Sequence, residues 1–268
     1  MTGVSCLQID AFTDRPFSGN PAAVCLLDDE RDAEWMQAVA AEMNLSETAF
    51  VRPLEKGFEL RWFTPAIEVE LCGHATLASA HALWSENIVE PDREIRFHSK
   101  SGELTCTRQD DFIELDFPAT PVTPAERSDE LCEALGVEPS YQGKSRYDDL
   151  VLVQSETALR SIRPDIPRLR ALPSRGVIVT SPSENPRFDF VSRFFAPNAG
   201  VDEDPVTGSA HCALGPFWGE RLGKAEMTAY QASARGGILR VRVAGDRVFL
   251  KGQAVTVLKG VLVGTAPN

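Results

Sequence analysis

Two related halves of α+β structure are what this 268-residue sequence predicts. Three observations carry that expectation. Short β-type runs outnumber helical ones, a strand–turn–glycine–helix unit occurs once in each half, and a stretch rich in Pro and charge lies near the midpoint. A typical domain is roughly 150 residues, so the length suits one large domain or two modest ones.

In chain order, the first half carries the apolar or alternating signature of strands at Ser5–Phe12, Ala22–Leu27, Thr48–Val51, Gly57–Phe63, Glu94–His98 and Phe112–Phe117. The second half adds Asp149–Gln154, Gly176–Thr180, Phe188–Phe195, Ile238–Val243, Val248–Leu250 and Ala254–Val263. Ala244-Gly245-Asp246 between two alternating runs reads as a hairpin turn. The clearest helix is Asp32–Met43, where Trp35, Met36, Val39, Ala40 and Met43 share a face and Asp32 can cap. Two more helices are predicted to open at Gly73 and Gly208, and Pro118–Asp129 is the best linker candidate. The expected domains are 1–118 and 119–268, with the last strand free to return to the first domain.

The repeat is specific in its order. One copy runs Phe63-Thr64-Pro65, an acidic loop, then Gly73-His74-Ala75-Thr76-Leu77-Ala78; the other runs Phe195-Ala196-Pro197, an acidic loop, then Gly208-Ser209-Ala210-His211-Cys212-Ala213. The phenylalanines are 132 residues apart and the glycines 135, so the second loop is three residues longer. Two matches in one order at nearly one spacing favour an internal duplication. Ligand sites prefer interfaces between such domains, so both helix starts are expected to converge on one cleft. Each start offers unpaired N–H groups and the positive end of a dipole, which together suit a small anion such as a carboxylate.

Composition narrows the function. Lys and Arg number 27 against 39 Asp and Glu, a net charge of −12, which repels nucleic-acid backbones. No apolar run approaches the roughly 18 residues of a membrane helix, and Met1–Asp10 lacks the pattern of a signal peptide. A cytoplasmic protein with no nucleic-acid or membrane partner is the expectation. The six cysteines are scattered, with no C-x-x-C pair, so free thiols are expected rather than a zinc site or disulfides. No Walker loop, nucleophile elbow, G-x-G-x-x-G or H-E-x-x-H occurs, and cofactor-free chemistry without a metal is the default.

Four residues could carry that chemistry. His74 follows the repeated glycine at a helix start, where the dipole favours its neutral form. His81 and His98 read as structural, and His211 as buried a turn deeper. Ser209 holds the position equivalent to His74, and Pro205 restricts Asp204 to extended geometry. Glu47, in Asn44-Leu45-Ser46-Glu47-Thr48, reads two ways: a solvated cap, or an acid/base positioned by Ser46 and Thr48 whose burial raises its pKa toward neutrality.

Several of these segments together resemble the PhzF-like family named for phenazine biosynthesis. They are Asp10-Ala11-Phe12-Thr13, Phe17-Ser18-Gly19-Asn20-Pro21-Ala22-Ala23-Val24, Asn44-Leu45-Ser46-Glu47-Thr48-Ala49-Phe50, Phe63-Thr64-Pro65, Cys72-Gly73-His74-Ala75-Thr76 and Glu203-Asp204-Pro205-Val206-Thr207-Gly208-Ser209-Ala210. The resemblance runs over almost the whole chain. It implies the diaminopimelate-epimerase-like fold, two similar domains that each wrap a β-barrel-like sheet around a central helix. It also implies a cofactor-independent isomerase of a small carboxylate, with Glu47 as acid/base assisted by His74, Asp204 and Ser209. The substrate-binding set implied with them is Gly73, Gly208, Ser46, Thr207 and Asn20, and a homodimer is expected. The alternatives are a binding protein without turnover and an amino-acid racemase using Cys72. The racemase is the weaker alternative, because the counterpart of Cys72 is Pro205 or Val206 and Cys212 lies too far into its helix.

Overall fold

The computed structural model describes residues 3–263. Met1, Thr2 and residues 264–268, which the expected domain limits include, lie outside the described residues. The chain divides into two compact units, Met1–Asp116 with Lys251–Asn268, and Phe117–Leu250.

The first unit runs β1 (Val4–Ala11), β2 (Asn20–Leu26), α1 (Ala33–Met43), β3 (Glu47–Pro53), β4 (Phe58–Phe63), β5 (Glu68–Val69), α2 (Gly73–Ser85), β6 (Ile95–Ser99), β7 (Gly102–Gln109) and β8 (Phe112–Pro118). The predicted α1 forms for the predicted reason. Asp32 accepts the Trp35 N–H as its cap, and Met36 and Ala40 are buried with Trp35, Val39 and Met43 against Phe50 and Phe63. Helix α2 is different, because its Ala-rich sequence is buried on nearly every side and packs on β1, β2 and β3. Such a helix belongs inside a sheet. Its hydroxyls bond within the helix, Thr76 Oγ1 to Cys72 O at 2.5 Å and Ser79 Oγ to Ala75 O at 2.7 Å.

The second unit runs β9 (Thr123–Pro124), α3 (Asp129–Leu135), β10 (Tyr141–Lys144), β11 (Asp148–Leu152), α4 (Glu156–Ser161), α5 (Ile166–Ala171), β12 (Gly176–Pro182), β13 (Phe190–Ala196), a 3-10 turn at Pro197–Ala199, β14 (Val201–Asp204), α6 (Gly208–Leu222), β15 (Glu226–Gln231), β16 (Gly237–Ala244) and β17 (Arg247–Gly252). Its central helix α6 packs on β15 and β16, and Trp218 donates its indole N–H to Thr180 Oγ1 of β12 at 2.9 Å. The last strand, β18 (Ala254–Leu262), pairs with β1 in the first unit.

Strand pairing establishes the duplication. In the first unit β1 pairs antiparallel with β2, β2 parallel with β3, β3 antiparallel with β4, β4 antiparallel with β5 and parallel with β6, and β6 antiparallel with β7. The second unit repeats each relation through β10, β11, β12, β13, β14, β15 and β16. Each unit therefore repeats one order of paired strands with one long, largely buried helix, α2 or α6. The two acidic loops of the repeat are not loops throughout, since each contains a short strand, β5 or β14, that folds back on the preceding one. Those strands have two and four residues, too short for alternation to register in sequence.

Candidate active site

Three elements of the first unit bring the predicted residues together. Glu47 is the first residue of β3, set by the parallel register Ala22↔Glu47 with β2. Asn20 is the first residue of β2, and His74 is the second of α2. The Asn20 amide Nδ2 lies 3.0 Å from His74 Nδ1, and Cys72 Sγ lies 3.5 Å from the same nitrogen. An amide N–H can only donate, so Nδ1 accepts and the ring proton sits on Nε2. That nitrogen is 3.2 Å from Glu47 Oε2 but off the line of a hydrogen bond. Glu47 itself is 16% exposed, neither a solvated cap nor sealed from ligand.

Burial pushes the His74 imidazole down to about 3. The adjoining carboxylate works in the opposite sense, yet the ring is only 3% exposed and Asn20 occupies the nitrogen a second proton would need. The imidazole in this contact is therefore neutral. Of the residues expected to position Glu47, Thr48 is fully buried and its hydroxyl bonds to no described residue, and Ser46 is half-buried in the preceding turn. Strand pairing places Glu47 instead.

His211 in the second unit is also buried and pushed down to about 4 by desolvation, which outweighs its bond to Thr207 O. Both histidines thus stay neutral in the fold while the unfolded chain takes up their protons below about 6.5. Their contribution to stability is present above pH 6.5 and is lost as pH falls toward the folded values. Urea unfolding should show a lower midpoint at pH 5.2 than at pH 7.5 (pH values chosen about the reference imidazole pKa). A His74→Gln, His211→Gln double variant should flatten that dependence, and a wild-type midpoint that rises on acidification would contradict the assignment.

In the second unit the three consecutive acids are sorted by their partners. Asp202 faces Arg170 at an exposed 3.3 Å contact, and Glu203 is clamped by Arg193 through bonds of 2.7 and 2.9 Å. Asp204 ends β14 and accepts the Thr207 hydroxyl at 2.5 Å. Gln231, fully buried and unsuspected from sequence, ties this turn together. It donates to Asp204 O at 2.7 Å and accepts the Thr207 N–H at 2.8 Å. Ser209 Oγ accepts an N–H from Arg175 at 3.1 Å, a second residue that sequence reading missed.

The two glycine-led helices share one further property. Helices α1, α3, α4 and α5 each have a side-chain cap, Asp32, Ser128, Ser155 and Asp165. Helices α2 and α6, at Cys72 and Thr207, have none, and these matching cap positions make Thr207, not Pro205 or Val206, the counterpart of Cys72. Thr207 is a residue type that caps well, but its hydroxyl is committed to Asp204. Gly73 and Gly208 therefore open helices whose first N–H groups no side chain takes up.

Glu47, Cys72 and His74 are also the one group of potential metal ligands among the described residues, with ligand atoms within 4.8 Å of one another. Glu47 and Cys72 approach opposite nitrogens of the ring, and Asn20 holds one of them. No helix among the described residues is long and apolar enough to cross a membrane.

The family profile described as phenazine biosynthesis-like protein (PhzC-PhzF) matches residues 9–260. The chain belongs to that family. It is 53% identical over 256 residues to an uncharacterized isomerase of Halalkalibacterium halodurans, covering 95% of this chain and 97% of that one. A PhzF-family crystal structure from Enterococcus faecalis superposes with a TM-score of 0.92 at 40% identity, covering 97% of this chain and 98% of the other. A probable proline racemase from Agrobacterium radiobacter gives a TM-score of 0.64 at 11% identity over 97% and 93% of the two chains, a likeness of fold alone. The diaminopimelate-epimerase-like architecture expected from sequence is the one present.

Proposed function

We propose that this chain is a cofactor-independent isomerase that moves a proton on a small carboxylate substrate, with Glu47 as the acid/base. The observation that carries the reading is a carboxylate 3.2 Å from a neutral histidine whose tautomer is held by Asn20. Glu47 takes a proton from one carbon of the substrate, and the electron pair left behind delocalises onto an adjacent carbonyl or carboxylate oxygen. His74 offers its Nε2–H to that developing charge, and uncapped helix N–H groups suit the carboxylate. Glu47 then returns the proton to a different carbon, so atoms and charge balance without an added reactant. Family membership and relatives named as isomerases support the reaction class. Asp204, Ser209, Thr207 and Gly208 of the second repeat are proposed as ligand-binding and assisting groups on the strength of the duplication.

Proton NMR in D₂O with small cyclic and amino carboxylates, dihydro-hydroxyanthranilate included, tests the reading. Solvent deuterium entering a carbon position, or a displaced double bond, is the expected result. Ligand binding with no exchange anywhere in the panel would favour a binding protein instead.

A thiol base is the competing chemistry, favoured by Cys72 Sγ lying 3.5 Å from His74 Nδ1. The other cysteine near the repeat, Cys212, is pushed up to about 12 by burial and stays protonated, so no second thiolate is at hand. Cys72→Ser should keep exchange within about tenfold of wild type, whereas removing a true acid/base costs ~10²–10⁴-fold. Complete loss in that variant, with the fold intact, would transfer the role to the thiol.

A further inference from the structure

The duplication allows position-by-position comparison of the two units. In the first, Thr48 of β3 pairs with Phe63, the phenylalanine of the repeated turn; in the second, Val177 of β12 pairs with its equivalent, Phe195. Gly176 therefore stands where Glu47 stands, with Arg175 immediately before it. Ser209 stands where His74 stands. Glu47 reaches His74 in one unit, and Arg175 reaches Ser209 in the other.

Arg175 is held as a built group. The parallel register Asp148↔Gly176 sets its neighbour Asp148 alongside, and the guanidinium is gripped through Nε–Oδ1 at 2.9 Å and Nη2–Oδ2 at 2.6 Å. Asp148 is 2% exposed and Arg175 40%, so the carboxylate is the buried anchor and the cation the outward end. Burial raises the Asp148 carboxyl while Arg175 draws it down. The guanidinium also lies 5.2 Å from the Tyr147 ring and 5.9 Å from Phe194. Phe194 packs so closely over Gly176 that a Cβ there would collide with the ring.

The donor count then leaves a vacancy. A guanidinium has five N–H groups. Nε–H and one Nη2–H go to Asp148 and the other Nη2–H to Ser209 Oγ, so both hydrogens of Nη1 lack a partner among the described residues. Because Ser209 Oγ accepts from Arg175, its own O–H points elsewhere and is a donor. Two N–H groups and one O–H at the uncapped start of α6 form a donor set that matches a carboxylate.

We propose that Arg175, oriented by Asp148, recognises the carboxylate of a small-molecule ligand together with Ser209, so that the second repeat carries an anion anchor at the place where the first carries Glu47 and His74. The assignment rests on the isomerase reading for the identity of the ligand as substrate, but its test does not need turnover. Calorimetric titration would compare aromatic and aliphatic monocarboxylates, 2-aminobenzoate among them, with their matched primary amides. Wild type and Glu47→Gln should both prefer the carboxylate at least about tenfold, the difference one well-formed charged contact makes. Arg175→Gln should lose that preference, and Arg175→Lys should recover only part of it because an ammonium lacks the fork.

Since Arg175→Gln strands a buried Asp148, the Arg175→Gln, Asp148→Asn double variant provides a folded control that should also fail to discriminate. Carboxylate preference unchanged in the folded double variant overturns the proposal, as does a wild type with no preference in any pair. Failure of Glu47-dependent exchange with this preference intact would instead overturn only the isomerase reading.

Discussion

Glu47→Gln should abolish solvent exchange into the substrate, lowering kcat by about 10²–10⁴-fold while leaving ligand affinity within roughly tenfold. Glutamine keeps the size of the side chain and its place at the start of β3, but its amide cannot accept and return a proton. His74 cannot take over. It is neutral, buried, and its accepting nitrogen is occupied by Asn20, so the remaining Nε2–H can only donate. Uncapped helix N–H groups are untouched by the substitution, which is why binding should survive. Initial rates of deuterium incorporation beside calorimetric affinities separate the two effects. A variant with unchanged kcat would remove Glu47 from the mechanism, and one that loses affinity and rate in equal measure would make it a binding group.

Arg193→Ala should cost about 1.5–3 kcal/mol of stability in the second unit, the range for losing hydrogen bonds to a charged group, because the Glu203 left behind is 25% exposed. Arg193 is 8% exposed. It grips both oxygens of Glu203, donates to Ile162 O at 2.8 Å and Leu159 O at 3.3 Å, and lies 4.8 Å over the Phe195 ring. Truncation leaves the Glu203 carboxylate without its donors, removes one of two donors from Ile162 O and from Leu159 O, and opens a void over the ring. Because Glu203 adjoins Asp204, the damage should extend to the turn that carries Asp204 and Thr207. Urea unfolding followed through the Trp218 indole resonance, the one tryptophan of this unit, reads the loss. The Arg193→Met, Glu203→Gln pair should recover part of it, since no charge is then stranded. A loss under about 1 kcal/mol for Arg193→Ala would place the pair among ordinary surface contacts.

The strands of the sheet were legible where alternation runs for five residues or more, as in β1, β8 and β16. Helix α1 was legible because its apolar face and its cap agree. The short helices α3, α4 and α5 escaped, being six or seven residues with too few turns for a period, although Ser128, Ser155 and Asp165 mark their starts. Within the site, Asn20, Glu47 and His74 lie at element boundaries and could be singled out in the chain. Gln231 and Arg175 could not, because each sits in an unremarkable stretch and matters only through partners more than twenty residues away.

What the sequence determined by itself is therefore local and repeated: the alternation, the Phe-x-Pro turns, the glycine-led helices of small residues, and hence a duplicated α+β fold. Each of these is a short-range consequence of backbone sterics and side-chain period. The tertiary structure decided the state of the groups. It made His74 neutral with its proton on Nε2, through burial and an amide 54 residues away. It also tied Glu203 to Arg193, left Asp204 to Thr207, and turned Arg175 outward on a buried Asp148. Protonation, pairing and orientation depend on which charges and dipoles surround a group in a low-dielectric interior, and folding brings those neighbours from distant parts of the chain.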